Sequence, residues 1–100
     1  MRLLLQVQDA FQIPGRGLLV APDIPYSPPR GFANFTESVT LVPPGGWPQE
    51  AQGHFSLIHL NPGGYKLVLS FQSLDQALLP VGTVVMVPEA VHARLRGADA

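Results

Sequence analysis

The sequence predicts a single all-β domain, and three observations support this fold class. Ten glycines and 11 prolines interrupt the chain at short intervals, which leaves little room for helices. The stretches between them are rich in valine, leucine and aromatic residues, which favour strands. In residues 65–71 (YKLVLSF), Tyr, Leu, Leu and Phe alternate with Lys, Val and Ser, which is the period of a strand that buries one face. We therefore expect residues 1–100 to form short strands around one core.

Each predicted element follows from its local sequence. Turns are predicted where glycine follows proline, at 43–46 (PPGG) and 61–64 (NPGG). Residues 73–79 fit either one helical turn or a loop. The tail 88–100 predicts a short C-terminal helix that begins at Pro88 and stops at Gly97, or a frayed end. Strands are predicted at 3–7, 18–21, 39–42, 55–60, 65–71 and 81–87.

Residues 10–20 (AFQIPGRGLLV) contain a glycine-rich stretch that fits either a phosphate-binding loop or a hairpin turn. A phosphate loop leads into the N-terminus of a helix. Here Pro22 soon follows and blocks a helix, and the Lys and Ser/Thr of the Walker pattern are absent. Backbone freedom at Gly15 and Gly17 favours the hairpin.

The composition limits the classes of function. Six Lys and Arg residues and a net charge of −1 argue against a large nucleic-acid footprint. The chain has no cysteine, so no disulfide or thiolate metal site is expected. The apolar run that begins at Leu3 ends at Gln6, and no stretch approaches the ~20 apolar residues of a membrane span. We expect a cytoplasmic protein that has no contact with membranes.

The hairpin sequence resembles the opening of domain II of bacterial elongation factor Tu and other translational GTPases. The shared residues are Phe11, Ile13, Gly15, Arg16 and Gly17. Residues 37–41 (ESVTL) resemble the second strand motif of that family, and residues 64–69 and 74–84 resemble later motifs, so the likeness covers about residues 9–87. It implies a closed six-stranded β-barrel without an exposed sheet edge.

The resemblance also implies partners, and the chain departs from the family in several places. In the relatives, domain II docks on the GTPase domain, touches ribosomal RNA and helps to hold charged tRNA. This chain has Pro22 where the family has glycine, and it inserts a proline-rich loop at 22–35. It also lacks the Walker loop and the Asn-Lys-x-Asp motif of a GTPase.

Neither catalysis nor a metal site is predicted. His54 and His59 are five residues apart on one predicted strand and therefore lie on opposite faces, so they cannot share a metal ion through that strand. The acidic residues are scattered along the chain, and the Gly-x-Ser-x-Gly nucleophile motif is absent. We expect a protein that is not an enzyme and that needs no cofactor.

The aromatic and arginine residues of the loops are the predicted binding residues. Phe11, Phe55, Tyr65 and Phe71 lie in predicted strands and are expected to fill the core. The loop aromatics either fold back to cap one end of the barrel or form a surface for a protein partner. Arg16 either contacts a partner's carboxylate or an RNA phosphate, or bonds to nearby groups of its own chain. The predicted binding residues are Arg16, Tyr26, Arg30, Phe32, Phe35 and Trp47, with Trp47 as the best candidate for an anchor.

These observations predict a small binding module that engages a protein partner through the loops at 22–35 and 43–53. One form of this function is an accessory or neutralising protein, of the immunity type, that binds an enzyme or a toxin. The alternative is a translation-linked module that contacts tRNA or ribosomal RNA. A third hypothesis is an enzyme of unknown chemistry, which requires a cavity where histidine and carboxylate groups converge.

Overall fold

The computed structural model describes residues 1–26, 30–60 and 64–96. The chain is mostly β, as predicted, and its seven strands form one antiparallel sheet. A short 3-10 helix at Gln76–Leu78 lies in the segment for which the sequence left a helical turn or a loop open. The strands are β1 (Arg2–Gln6), β2 (Asp9–Ile13), β3 (Gly17–Ala21), β4 (Phe35–Val42), β5 (Gln49–Leu60), β6 (Gly64–Phe71) and β7 (Val84–Val87), and the helix α1 spans Glu89–Arg96.

The sheet is a curled half-barrel with the strand order β1-β7-β4-β5-β6-β3-β2, so the predicted closed six-stranded barrel is wrong. The chain bends at Val7 and Gln8, between β1 at one edge of the sheet and β2 at the other. At the bend, Val7 N donates to Thr83 O and Gln8 N donates to Ala21 O, both at 2.8 Å. The bend therefore divides the N-terminal segment into two strands that pair with different neighbours.

The concave face of the sheet carries the core. Leu67, Leu69 and Phe71 of β6 are buried in the core with Phe55 of β5, but Val68 and Ser70 between them are buried as well, so the predicted one-sided burial is wrong for residues 67–71. Two of the aromatic residues predicted for the core are exposed instead: Phe11 is 47% exposed and Tyr65 is 62% exposed. Phe11 lies on the outer face of the edge strand β2. Tyr65 lies at the start of β6, beyond the end of the core, where its ring lies against that of His59 with the centroids 5.0 Å apart.

The β2–β3 hairpin confirms the prediction for residues 13–17. Arg16 N donates to Ile13 O at 3.0 Å, which closes the turn. Gly15 and Gly17 have φ of +80° and +83°, in the left-handed region that favours glycine. Position 17 also has no room for a side chain, because a Cβ there would lie 2.5 Å from Phe71 O. The end of β6 can approach the hairpin only because residue 17 is glycine.

Helix α1 and the proline-rich segment together close one end of the half-barrel. The predicted C-terminal helix is confirmed at Glu89–Arg96, whereas its predicted stop at residue 97 lies outside the described residues. Val91 and Leu95 of the helix are buried. His92 is also buried, and a hydrogen bond of 2.9 Å joins its Nε2 to Tyr26 Oη. The helix therefore holds the described part of the proline-rich segment against the core.

The loop predicted at 43–53 is shorter than expected. A turn forms at 43–46, as predicted, with Gly46 N donating to Pro43 O at 3.1 Å. Residues 49–53 belong to β5 and pair with β4, so this half of the predicted loop is wrong. Within the other predicted loop, residues 27–29 lie outside the described residues, and so does the turn at 61–63.

Candidate binding surfaces

A cavity opens between the first part of β5 and the segment that follows β6. Its volume is about 550 Å³. Apolar groups of Ala51, Phe71 and Leu74 line it together with polar side chains, and a cavity of this size and mixed lining is typical of binding sites. The lining residues are Thr36, Ala51, Gln52, His54, Phe71, Gln72, Ser73 and Leu74.

The cavity exists because β6 does not pair with the first five residues of β5. β5 pairs with β4 from Gln49 to Phe55, but it pairs with β6 only from His54 onward. Beyond Phe71 the chain runs against Gly17 instead of following β5. Gln76 Nε2 then donates to Ala10 O at 2.8 Å and holds the following segment against β2. Residues 49–53 are consequently left without β6 as a neighbour.

A smaller polar groove of about 270 Å³ adjoins the cavity on the outer face of the sheet. Cross-strand pairing aligns Leu19, Ser70, His54 and Thr36 in one row across β3, β6, β5 and β4. Arg16 lines the groove from the β2–β3 turn and is the one arginine or lysine among its described lining residues. The groove therefore combines one guanidinium with serine hydroxyl, amide and imidazole groups.

His54 lies where the groove and the cavity meet, since it lines both. A hydrogen bond of 3.1 Å joins its Nδ1 to Thr36 Oγ1. This bond fixes the orientation of the ring and leaves Nε2 as the ring nitrogen that Thr36 does not engage. Gln72 also lines both spaces, so a ligand in either one meets these two side chains.

Trp47 stands at the tip of the β4–β5 turn and is 88% exposed. The turn lies beside residues 80–83, because a Cβ on Gly82 would be 3.0 Å from the Pro44 ring. Val81, in that neighbouring turn, is 67% exposed. Two turns thus bring apolar side chains to the same end of the sheet, directly before the part of β5 that borders the cavity.

The structure separates the six predicted binding residues into different regions. Arg16 and Arg30 are exposed, in the hairpin and in a second turn. Tyr26, Phe32 and Phe35 are partly buried and pack against the core, which corresponds to the capping alternative. Phe35, which begins β4 rather than lying in a loop, stacks on Phe55 with ring centroids 4.9 Å apart.

The cap formed by Tyr26, Phe32 and Phe35 with helix α1 includes a contact that the sequence did not suggest. The Arg94 guanidinium lies 3.8 Å from the centre of the Phe35 ring, in a cation–π contact. Tyr26 is tied to His92 in the same cap. Of the four loop aromatics, Trp47 is therefore the one that the described structure leaves open to a partner.

Sequence reasoning also missed the cavity residues, among them Gln52, His54 and Leu74. They come together only through the pairing of β4, β5 and β6, and no local motif marks them. No group of three or more His, Asp or Glu side chains in residues 1–26, 30–60 and 64–96 is placed to hold a metal ion.

Comparison of the chain with protein families, with curated proteins and with solved structures finds no match. What the structure defines is therefore a class of architecture, a curled antiparallel sheet with one short helix. Within the described residues, no helix has the length and the apolar character needed to cross a membrane.

Proposed function

We propose that the chain is a non-enzymatic binding module that engages a protein partner, with Trp47 as the anchor. The observation that carries this proposal is the 88% exposure of the indole at the tip of the β4–β5 turn. Tryptophan residues that become buried in an interface contribute much of the binding free energy. Val81 is also exposed, in the neighbouring turn that lies against Pro44.

The turn that carries Trp47 is well suited to hold an anchor. Pro43, Pro44 and Pro48 restrict its backbone, and the bond from Gly46 N to Pro43 O closes it. A partner that binds a restricted turn loses less conformational entropy than one that must order a flexible loop. The lining of the cavity also favours binding over catalysis, since its described residues include one histidine and no carboxylate.

The experiment is a comparison of Trp47→Ala with Tyr65→Ala in binding to a captured partner. Trp47→Ala should weaken binding by about 2 kcal/mol or more, roughly 30-fold, and should leave the melting temperature nearly unchanged. Tyr65→Ala removes another exposed aromatic ring, at the opposite end of β5. It should change neither the binding affinity nor the melting temperature. Equal affinity of the wild type and Trp47→Ala would refute the anchor, and a large loss of stability would place Trp47 in the core.

A second candidate function is a translation-linked module that contacts tRNA or ribosomal RNA. It is supported by the likeness of the β2–β3 hairpin to domain II of translational GTPases, together with Arg16 beside the polar groove. With six Lys and Arg residues in the chain, such a contact is small. Binding to bulk tRNA that falls steeply with salt would favour it, and no binding at low salt would exclude it.

A further inference from the structure

We propose that the edge of β5 beside the large cavity binds an extended segment of the partner protein, which adds a strand to the sheet. This inference rests on the proposed function, because it identifies where the backbone of the same partner lies. The edge in question is residues 49–53, which follow directly after the turn that carries Trp47. One partner segment can therefore pair with β5 and also contact the indole.

The backbone groups of two residues point toward the cavity. Leu57 N donates to Asn34 Oδ1 at 3.3 Å, on the β4 side of β5. Backbone groups alternate between the two sides of a strand, and the registers of β5 with β4 and β6 run without a shift. The N–H and C=O groups of Glu50 and Gln52 therefore point away from β4, toward the side where β6 is missing.

These groups have no backbone partner in the part of the chain that the structure describes. Pairing of β5 with β6 ends at His54, and no backbone hydrogen bond joins Glu50 or Gln52 to residues 72–74. An unpaired strand edge is a template for another extended chain, and peptide ligands that add a strand to a sheet use such edges.

The two outer strands of the sheet offer less suitable edges. β1 has helix α1 packed beside it, with Arg2 and Glu89 in an ion pair at 3.5 Å. β2 already has Ala10 O engaged by the Gln76 side chain at 2.8 Å. The β5 edge differs from both because a cavity of about 550 Å³ lies beside it.

The lining of the cavity indicates what kind of segment fits. An added strand that covers residues 50–53 is about 13 Å long, at 3.3 Å for each residue. Its side chains alternate, so one set faces Ala51, Phe71 and Leu74, and the other faces the polar rim at Gln52 and His54. The expected ligand is a short extended peptide with an apolar residue at alternate positions and no proline where it pairs.

The test uses the full chain to select binders from a displayed library of random 12-residue peptides, followed by affinity measurement on purified peptides. Gln52→Pro removes the N–H that faces the cavity and leaves the hydrogen bonds to β4 intact, as proline does at sheet edges. We expect it to weaken binding at least tenfold. Gln52→Thr is the matched control because it removes the same amide side chain but keeps the N–H, so the affinity of Gln52→Pro should be at least tenfold lower than that of Gln52→Thr.

Hydrogen exchange gives a second readout that does not depend on the proline variant. The Glu50 and Gln52 amides should exchange quickly in the free chain and slowly with peptide bound, whereas Ala51 and Gly53 should be protected in both. If Gln52→Pro does not fold, Leu74→Ser takes its place, since it reduces the apolar wall while the edge stays intact. We expect Leu74→Ser to weaken peptide binding about fivefold.

The outcomes separate this inference from the proposed function. Failure to select any peptide, or equal affinity for wild type and Gln52→Pro, would overturn the strand-addition proposal and leave the Trp47 anchor standing. Peptides that depend on Gln52 but not on Trp47 would support the added strand and refute the anchor. A mass that doubles with concentration in the wild type but not in Gln52→Pro would assign the edge to a second copy of the chain, which also overturns the proposal.

Discussion

Replacing Gly17 with alanine adds a methyl group at a position where the backbone of another strand lies. The new Cβ would be 2.5 Å from Phe71 O and 2.8 Å from Gln72 Cα. Both neighbours are backbone atoms, which cannot move aside by a change of rotamer. Gly15 provides a matched control in the same turn, because its φ of +80° is close to the +83° of Gly17 and nothing lies within 4 Å of its Cβ position.

Both substitutions place a Cβ on a residue with a left-handed backbone, but only Gly17→Ala also presses it against another strand. A left-handed backbone costs a residue that has a Cβ roughly 1–2 kcal/mol, and the stiffer unfolded chain of the alanine variant returns about 0.4–1 kcal/mol. Gly15→Ala should therefore lose about 1 kcal/mol. Gly17→Ala adds overpacking against fixed backbone, which costs about 1–3 kcal/mol. We expect it to be less stable than Gly15→Ala by about 2 kcal/mol.

Urea denaturation at neutral pH measures this difference, with the m-value as a check that both variants unfold in one step. In a chain of 100 residues the difference corresponds to a fall in melting temperature of roughly 10 °C. Equal losses in the two variants would refute the reasoning, because they would show that only the φ angle matters and that the end of β6 does not press on residue 17.

Three other changes test the cap and the core. Burial, followed by the positive charges of nearby arginines such as Arg2, lowers the pKa of His92. The stability of the wild type should therefore fall as the pH drops below about 6.5. Denaturation at pH 7 and at pH 5 should show a smaller fall for His92→Gln than for the wild type. Tyr26→Phe should lose about 1 kcal/mol, since it removes the bond to His92 Nε2; unchanged thermal melting would show that water replaces the hydroxyl. Gly53→Ala places a Cβ 2.8 Å from Leu69 Cδ1, a side chain that can partly move, so its loss in urea denaturation should be smaller than that of Gly17→Ala.

Features set by a few neighbouring residues could be predicted from the sequence. The hairpin at 13–17 needs only two glycines with positive φ, and helix α1 begins directly after Pro88. In each case the physical cause lies within about eight residues of chain, which is the range that pattern and propensity describe.

Features set by the pairing of distant strands could not be predicted. Residues 49–53 (QEAQG) contain no β-branched or aromatic residue, and they form a strand because β4 pairs with them. Phe11 has the composition of a core residue, but the register with Leu19 places it on the outer face. The cavity depends on the path of the chain after Phe71, and that path depends on the contact with Gly17.

The curled sheet is interrupted at two places, and the chain crosses only the first of them in the described structure. Between β1 and β2 the covalent chain itself crosses, and its bend is held on both sides by the bonds of Val7 and Gln8. Between β5 and residues 72–74 nothing in the described structure crosses, although the β4–β5 ladder extends along the whole opening. The proposed partner segment would supply the neighbour that residues 49–53 lack, next to the exposed Trp47. The close approach of Gly17 to the end of β6 leaves this opening free for the proposed segment.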